Sequence, residues 1–190
     1  MEQVLDGIRV LDFTDAVQGP GAIQYLGDFG ADVVKVEPIR SGLRQGSTLR
    51  LVGSNARDSE GKINGVGSYF LAVNRNKRDI LVDLKQPEGL EIIHRLVKEV
   101  DVVASNFRPG VTERLGIGYE RLREINPRII YAVASGFGQT GPYSRLKGQD
   151  LVAQGMGGIM ALTGPEGSPP TAAGAYIADL IGGYHMAMHV

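Results

Sequence analysis

The chain contains no cysteine and no tryptophan. Without cysteine there can be no disulfide, thiolate metal site or thiol nucleophile, and the composition is compatible with a reducing cytosol. No apolar run reaches the roughly 18–20 residues that a bilayer-spanning helix needs. The amino terminus, MEQVLDGIRV, has neither the basic start nor the apolar core of a secretion signal. Charge of one sign is not in excess. A formal net charge of −1 gives no overall attraction to nucleic acid or anionic membrane. The expectation is a soluble cytoplasmic protein that engages neither.

What is present is an ordinary globular composition. The 190 residues are 43% hydrophobic and 22% charged, enough for one substantial domain. Glycine is abundant, at 27 residues. From Tyr176 to Val190 the pattern is an apolar helix that stops at HMAMHV without a glycine stop or a polar tail. That end is expected either to continue in a longer chain or to be covered by a partner.

Short apolar runs alternate with helical patterns. Ile8 to Phe13 reads as a strand, Thr14 to Gly21 as a loop and Ala22 to Phe29 as a helix, with Gly30 as its stop. Asp32 to Glu37 is a second strand, which completes a βαβ unit. Residues 40 to 68 read as one long polar loop. Further strands are expected at Asp79 to Leu84, Asp101 to Asn106 and Arg128 to Ser135. Helices are expected at Pro87 to Val100, Thr112 to Leu115, Tyr119 to Ile125 and Leu151 to Leu162. This alternation predicts an α/β, Rossmann-like fold: a mostly parallel sheet with helices on both faces.

Asp179 is the most informative residue. It lies in GAYIADLIGG, among small and apolar neighbours, after the Gly/Pro-rich segment GPEGSPPTAAG at 164–174. A carboxylate in such surroundings is costly unless it is paired, hydrogen-bonded or used in chemistry. Two readings stay open at this level: an acid beside the free N–H groups of a helix start, and a reactive carboxylate.

Other signals are weaker. Gly19-Pro20-Gly21 lies between a strand and a helix, where such folds bind phosphates, but position 24 is Gln and the dinucleotide fingerprint is incomplete. Glu37 imitates the ribose-binding acid of that motif. Basic residues fall in loops: Arg40 and Arg44; Arg75, Lys77 and Arg78; Arg108 and Arg114; Lys147. They can clamp phosphates or face solvent. Asn106, Phe107 and Arg108 follow a strand directly and could receive an adenine ring there. His185 and His189 share a helix face, but Met186 stands where a zinc helix needs Glu, and no metal is expected.

Taken together, the segments resemble the class III CoA-transferases, the family of formyl-CoA and carnitine CoA-transferases and α-methylacyl-CoA racemase. The resemblance is carried by LDGIRVLDFT near the start, GADVVKVEP at 30–38 and NKRDILVDLKQPEG at 76–89. It continues through DVVASNFRPGVTERLGIGYERLREINPRIIYAVASGFGQTGPY at 101–143 and PPTAAGAYIADLIGG at 169–183. The resemblance implies that Asp179 is the nucleophile. It would attack an acyl-CoA thioester, forming an aspartyl mixed anhydride and releasing CoA thiolate, which passes on to the acceptor acid. It implies no tightly bound cofactor; coenzyme A and acyl-CoA are substrates, and a carboxylic acid is the other partner.

By the same resemblance, Val17, Gln18, Asn106, Phe107, Arg114 and Lys147 fall at CoA-contacting positions, and Arg40 and Arg44 in the loop near the 3′-phosphate. Ala16-Val17-Gln18 replaces the Val-Gln-Ala of formyl-CoA transferase, which shifts or removes an active-site glutamine. Gln149-Asp150 replaces the His-Asp pair of the racemase branch. Gln cannot shuttle a proton near neutral pH, which favours transferase over racemase or epimerase and leaves Asp150 a structural reading. The resemblance also implies that residues 1–190 form the N-terminal part of a large CoA-binding domain. The small domain, the C-terminal return segment and a Gly-rich loop would lie outside it, and the full-length form would be an interlocked homodimer.

Overall fold

A period-two alternation in the strands decides the architecture. Val10, Val33 and Val102 face one side of a sheet, and Leu11, Val36 and Val103 face the other, so each strand buries both faces. A sheet apolar on both sides needs a helical layer on each. In the computed structural model, which describes residues 3–39, 46–52, 55–57 and 63–190, that is the arrangement.

The strands are β1 (Arg9–Asp12), β2 (Asp32–Pro38), β3 (Asn55–Arg57), β4 (Ile63–Gly67), β5 (Lys77–Val82), β6 (Val102–Ser105) and β7 (Ile130–Val133). The helices are α1 (Gln18–Asp28), α2 (Ser68–Val73), α3 (Pro87–Val97), α4 (Val111–Arg114), α5 (Tyr119–Ile125), α6 (Asp150–Met156) and α7 (Ile177–Met188). Five strands form a parallel sheet in the order β5-β2-β1-β6-β7. On one face, Ile93 and Val97 of α3 and Leu122 of α5 pack on the sheet. On the other, Ala22, Ile23 and Leu26 of α1 and Met186 of α7 do so. The Rossmann-like α/β expectation holds.

The order places a topological switch between β1 and β6. The chain leaves β1 toward β2 and β5, then returns to the other side of β1. Loops diverge from the C-terminal ends of β1 and β6, and such a crevice is where open α/β sheets bind ligands.

Three local expectations need correction. Gly19-Pro20-Gly21 is not a loop but part of the first turn of α1, which begins at Gln18. The N–H that proline lacks is one of those that have no helical partner there anyway. The stretch 40–68 is not a single loop: a 3-10 turn at Thr48–Leu51, the antiparallel pair β3–β4 and the first residue of α2 lie within it. The helix expected at Leu151 to Leu162 ends at Met156, followed by Gly157-Gly158 and a separate 3-10 turn at Ile159–Ala161. Among the described residues, no helix is long and apolar enough to cross a membrane.

Candidate active site

The loop leaving β1 is held by buried charge. Asp12 is fully buried, and the side chains of Lys35 and Lys77 are 2% and 1% exposed. Lys77 Nζ donates to Asp12 Oδ2 at 2.9 Å, to the Pro20 carbonyl at 2.8 Å and to Asn74 Oδ1 at 3.2 Å. Lys35 Nζ donates to the Thr14 carbonyl at 2.6 Å. Burial alone would raise the Asp12 carboxyl, but the two ammonium groups and the Thr14 hydroxyl outweigh it and hold the carboxyl below its usual range. Burial pulls Lys77 down to about 8, against the attraction of Asp12.

Asn106, at the exit of β6, clips the same loop. Its Oδ1 accepts the Asp15 N–H at 2.9 Å, and its Nδ2 donates to the Asp15 carbonyl at 2.7 Å. The next residue, Ala16, takes a left-handed φ of 65°. The two loops at the switch point are therefore one unit. Val17 packs on the small apolar cluster of Leu49, Phe70 and Val73. Gln18 lies across α7: a Cβ at Gly183 would come within 2.8 Å of the Gln18 backbone carbonyl oxygen. Glycine there is what lets α1 and α7 approach this closely.

α7 begins with Tyr176 at its N-cap, which forms no side-chain capping bond. A residue of another helix does this instead. Asp150, the first residue of α6 and 6% exposed, accepts the N–H groups of Ala178 and Asp179 on Oδ1 at 2.9 and 3.1 Å. Its Oδ2 accepts from Gln154 Nε2 at 2.5 Å. Gln154 in turn accepts the Ala173 N–H at 2.9 Å and donates to the Ala175 carbonyl at 3.3 Å. The loop before α7 is thus pinned to α6. The entry to α6 is set by a backbone contact: a Cβ on Gly136 would lie 2.4 Å from the Gly148 Cα, so both positions need glycine.

These elements enclose a cleft of about 690 Å³. Asp15, Val17, Gln18, Asn106 and Phe107 line it from the switch-point loops, and Gln149, Asp150, Tyr176 and Asp179 from the two helix starts. Asp179 is half-buried. Desolvation first, and then the Asp150 charge, raise its carboxyl above the ordinary value. A second cleft, also about 690 Å³, opens over the ends of β1, β2 and β5 and shares Asp15 and Phe107 with the first.

The structure brings together Asp179, Val17, Gln18, Asn106 and Phe107. Arg108 lines the same cleft. Lys147 is exposed between Leu146 and Gly148, which line it, and Arg114 is exposed on α4. Arg40 and Arg44 lie outside the described residues. Other basic residues have structural partners: Lys77 is in the buried triad, Arg75 pairs with Asp28 and Arg78 with Asp32. Glu37 lines the second cleft but is already engaged by protein partners. It is buried, accepts both Nε and Nη2 of Arg50 and the Ser47 N–H, and these bonds overcome its burial to keep its carboxyl low. Arg50 also stacks 3.8 Å over Phe70. His185 and His189 share a helix face, with ring centroids 6.2 Å apart. Among the described residues, no group of three His, Cys, Asp or Glu is placed to hold a metal.

Sequence reasoning gave no role to Asp15, Tyr69 or Tyr176 and did not see the capping by Asp150. Tyr69 and Tyr176 bring their hydroxyls to 3.3 Å across the cleft wall. No local signal marks such a pair, because its members are 107 residues apart.

A ligand-sized cleft at the switch point of a parallel sheet, with a half-buried carboxylate in its wall, places the chain among the α/β proteins with a candidate ligand site at the carboxyl ends of the strands. The family is more specific. Residues 5–190 match the model of CoA-transferase family III, and the chain belongs to that family. It is 42% identical over 181 residues to a succinate–glutarate CoA-transferase of Agrobacterium fabrum, covering 95% of this chain and 44% of that protein. It is 42% identical to a formyl-CoA:oxalate CoA-transferase of Streptomyces coelicolor, covering 97% and 42%. A CAIB/BAIF family protein from Brucella suis superposes with a TM-score of 0.90 at 41% identity, covering 100% of this chain and 48% of that one. The chain thus spans less than half the length of these relatives.

Proposed function

We propose that the full-length protein exchanges CoA between an acyl-CoA and a carboxylic acid, with Asp179 as the nucleophile. The observation that carries this reading is the setting of Asp179, half-buried in the cleft wall with its carboxyl raised by burial and by Asp150. A raised carboxyl makes a stronger nucleophile once ionised, and partial desolvation removes water that would compete.

An Asp179 oxygen attacks the thioester carbonyl. The C–S bond breaks, CoA thiolate leaves and an aspartyl mixed anhydride forms. The thiolate then attacks the aspartyl carbonyl, releasing the first acid and leaving CoA on the enzyme. The acceptor carboxylate attacks that aspartyl thioester, forming a second anhydride. The thiolate finally takes the acceptor's acyl group and frees Asp179.

The shared lining of the two clefts suits one extended ligand. The acyl end would lie by Asp179, the nucleotide end in the neighbouring cleft, and the pantetheine arm over Asp15 and Phe107. Arg114, Lys147, Arg40 and Arg44 are the candidate phosphate partners. Asn106 acts through the loop it clips, since both of its amide atoms bond the Asp15 backbone. Among the described residues no histidine lines the Asp179 cleft, and Gln149 does, which supports transfer over racemisation. Residues 1–190 correspond in this reading to the N-terminal part of the large CoA-binding domain of a cytoplasmic, interlocked homodimer. The test is a panel of acyl-CoA donors and acids with full-length protein. CoA transfer that Asp179→Ala abolishes supports the reading; transfer that survives the substitution overturns it.

A further inference from the structure

The segment that leads into α7 has little backbone support of its own. Residues 172–175 belong to no helix or strand. Among the described residues, their one backbone bond runs from the Ile177 N–H to the Ala175 carbonyl at 2.8 Å. A single side chain supplies the rest. Gln154 of α6, 2% exposed, accepts the Ala173 N–H at 2.9 Å and donates to the Ala175 carbonyl at 3.3 Å. Its Nε2 also donates to Asp150 Oδ2 at 2.5 Å. A primary amide has two N–H groups, and both are used here. The flipped amide would set its oxygen against a carboxylate and a carbonyl, so only one orientation is stable.

Asp150 and Gln154 stand four residues apart, on one face of α6. Asp150 grips the amides of Ala178 and Asp179. Gln154 grips Asp150 and the chain just before α7. The helix that carries Asp179 is therefore held twice by one amide, through Asp150 at its first turn and directly at its approach. Gln154 is not among the residues that line the Asp179 cleft. Its influence on that cleft passes through these contacts. Without the amide, Asp150 loses the donor that fixes its outer oxygen, and Ala173 and Ala175 lose their partners. A small displacement of an attacking atom is costly to the rate even when its origin lies outside the site.

We infer that Gln154 is a positioning residue for the acylation of Asp179: it aims Asp150, fixes the approach to α7 and so sets where the Asp179 carboxylate stands. This rests on the CoA-transfer reading above. Because Gln154 lies outside the cleft lining, its loss falls on the chemical step and spares the binding of CoA.

The experiment uses full-length wild type, Gln154→Met and Gln154→Glu. Gln154→Met keeps the length of the side chain and removes its hydrogen bonds. Gln154→Glu keeps an acceptor for the Ala173 N–H and replaces the donor. Two quantities are read: the rate at which hydroxylamine-trappable acyl-enzyme forms on Asp179 at saturating acyl-CoA, and the affinity for free CoA. Gln154→Met should slow acylation by about tenfold to a hundredfold and change the Kd of free CoA by less than about threefold. In Gln154→Glu the introduced carboxyl donates to Asp150 only while it holds its proton. Its acylation rate, divided by that of wild type at the same pH, should therefore fall as pH rises. The titratable groups that face it are Asp150 on its own helix and Asp179 and Tyr176 at the start of α7. Residues 171–175 and the 3-10 turn at Ile159–Ala161 carry none. Circular dichroism follows folding at each pH, and if Gln154→Met does not fold, the pH dependence of Gln154→Glu decides. Unimpaired acylation by a folded variant, an equal loss of CoA affinity, or a ratio that does not change with pH overturns the inference while leaving CoA transfer standing. A wild type that forms no acyl-enzyme on Asp179 with any donor overturns the underlying reading, and the inference with it.

Discussion

Asp150 Oδ1 accepts the backbone N–H of Asp179 at 3.1 Å, so one acid caps the helix that carries the other. An acid in the first turn of a helix is normally stabilised as an anion by the helix's positive end. Here Asp150 occupies that end, on the amides of Ala178 and Asp179. Asp179 instead feels burial and a neighbouring negative charge, and its carboxyl rises. The Asp150 contact thus sets the geometry of the helix start and adds to the rise in basicity that burial begins.

That contact predicts a pH effect. The nucleophile must be ionised, so the acylation rate rises with pH through the Asp179 pKa. Asp150→Asn keeps an oxygen for the two N–H groups and removes the charge. The acidic limb should move to lower pH, as followed by acyl-enzyme formation. Asp150→Ala removes the cap as well and should cost about 1–2 kcal/mol of stability. Among the described residues, the other titratable groups lining the cleft, Asp15, Tyr69, Tyr176 and Arg108, are unchanged in both variants.

A second prediction concerns stability. A raised carboxyl in the folded state means that this state holds the proton more tightly than the unfolded chain does. Ionisation of Asp179 therefore costs stability as pH climbs from the ordinary carboxylate range through the raised value. Asp179→Asn should raise Tm at pH 7 by about 1–3 °C, and the difference should fade below about pH 4. Calorimetric scans across that range check it.

The sheet was legible because its strands are apolar on both faces and its helices carry ordinary stops; Val10, Leu11, Val102 and Val103 alone imply two covering layers. The site was legible only through the ordered run of family-like segments. GAYIADLIGG by itself left Asp179 between a helix-start acid and a nucleophile; the residue does sit at a helix start, but Asp150 holds the helix amides. What escaped was contact between distant residues. Lys77 read as a loop cation that could clamp phosphate or face solvent, because its partner Asp12 is 65 residues away, and Asn106 gave no sign that both its amide atoms would bond to Asp15.

The buried triad makes a third prediction. Lys77 is drawn down to about 8 from 10.5. Between those values the unfolded chain holds the proton more than the folded one, so the Lys77 contribution to stability rises with pH across that window. Lys77→Met leaves Asp12 with one fewer cation. It should cost about 3–5 kcal/mol at pH 7, and it should remove the upward trend in denaturant midpoint from about pH 8 to 10.

Asn106 gives a fourth. Asn106→Ala frees the Asp15 N–H and carbonyl together. Two lost backbone bonds at a partly buried loop should cost about 1–3 kcal/mol. Because the loop borders both clefts, the KM for acyl-CoA should rise more than kcat falls. Steady-state kinetics over a range of acyl-CoA concentrations separate the two.

The most direct test of the central claim is to trap the covalent intermediate. Full-length protein is incubated with an acyl-CoA donor, quenched with hydroxylamine and mapped by peptide mass spectrometry. The account predicts a hydroxamate on Asp179, dependent on the donor and absent from Asp179→Ala. Modification of a different residue, or unimpaired CoA transfer by Asp179→Ala, would contradict it.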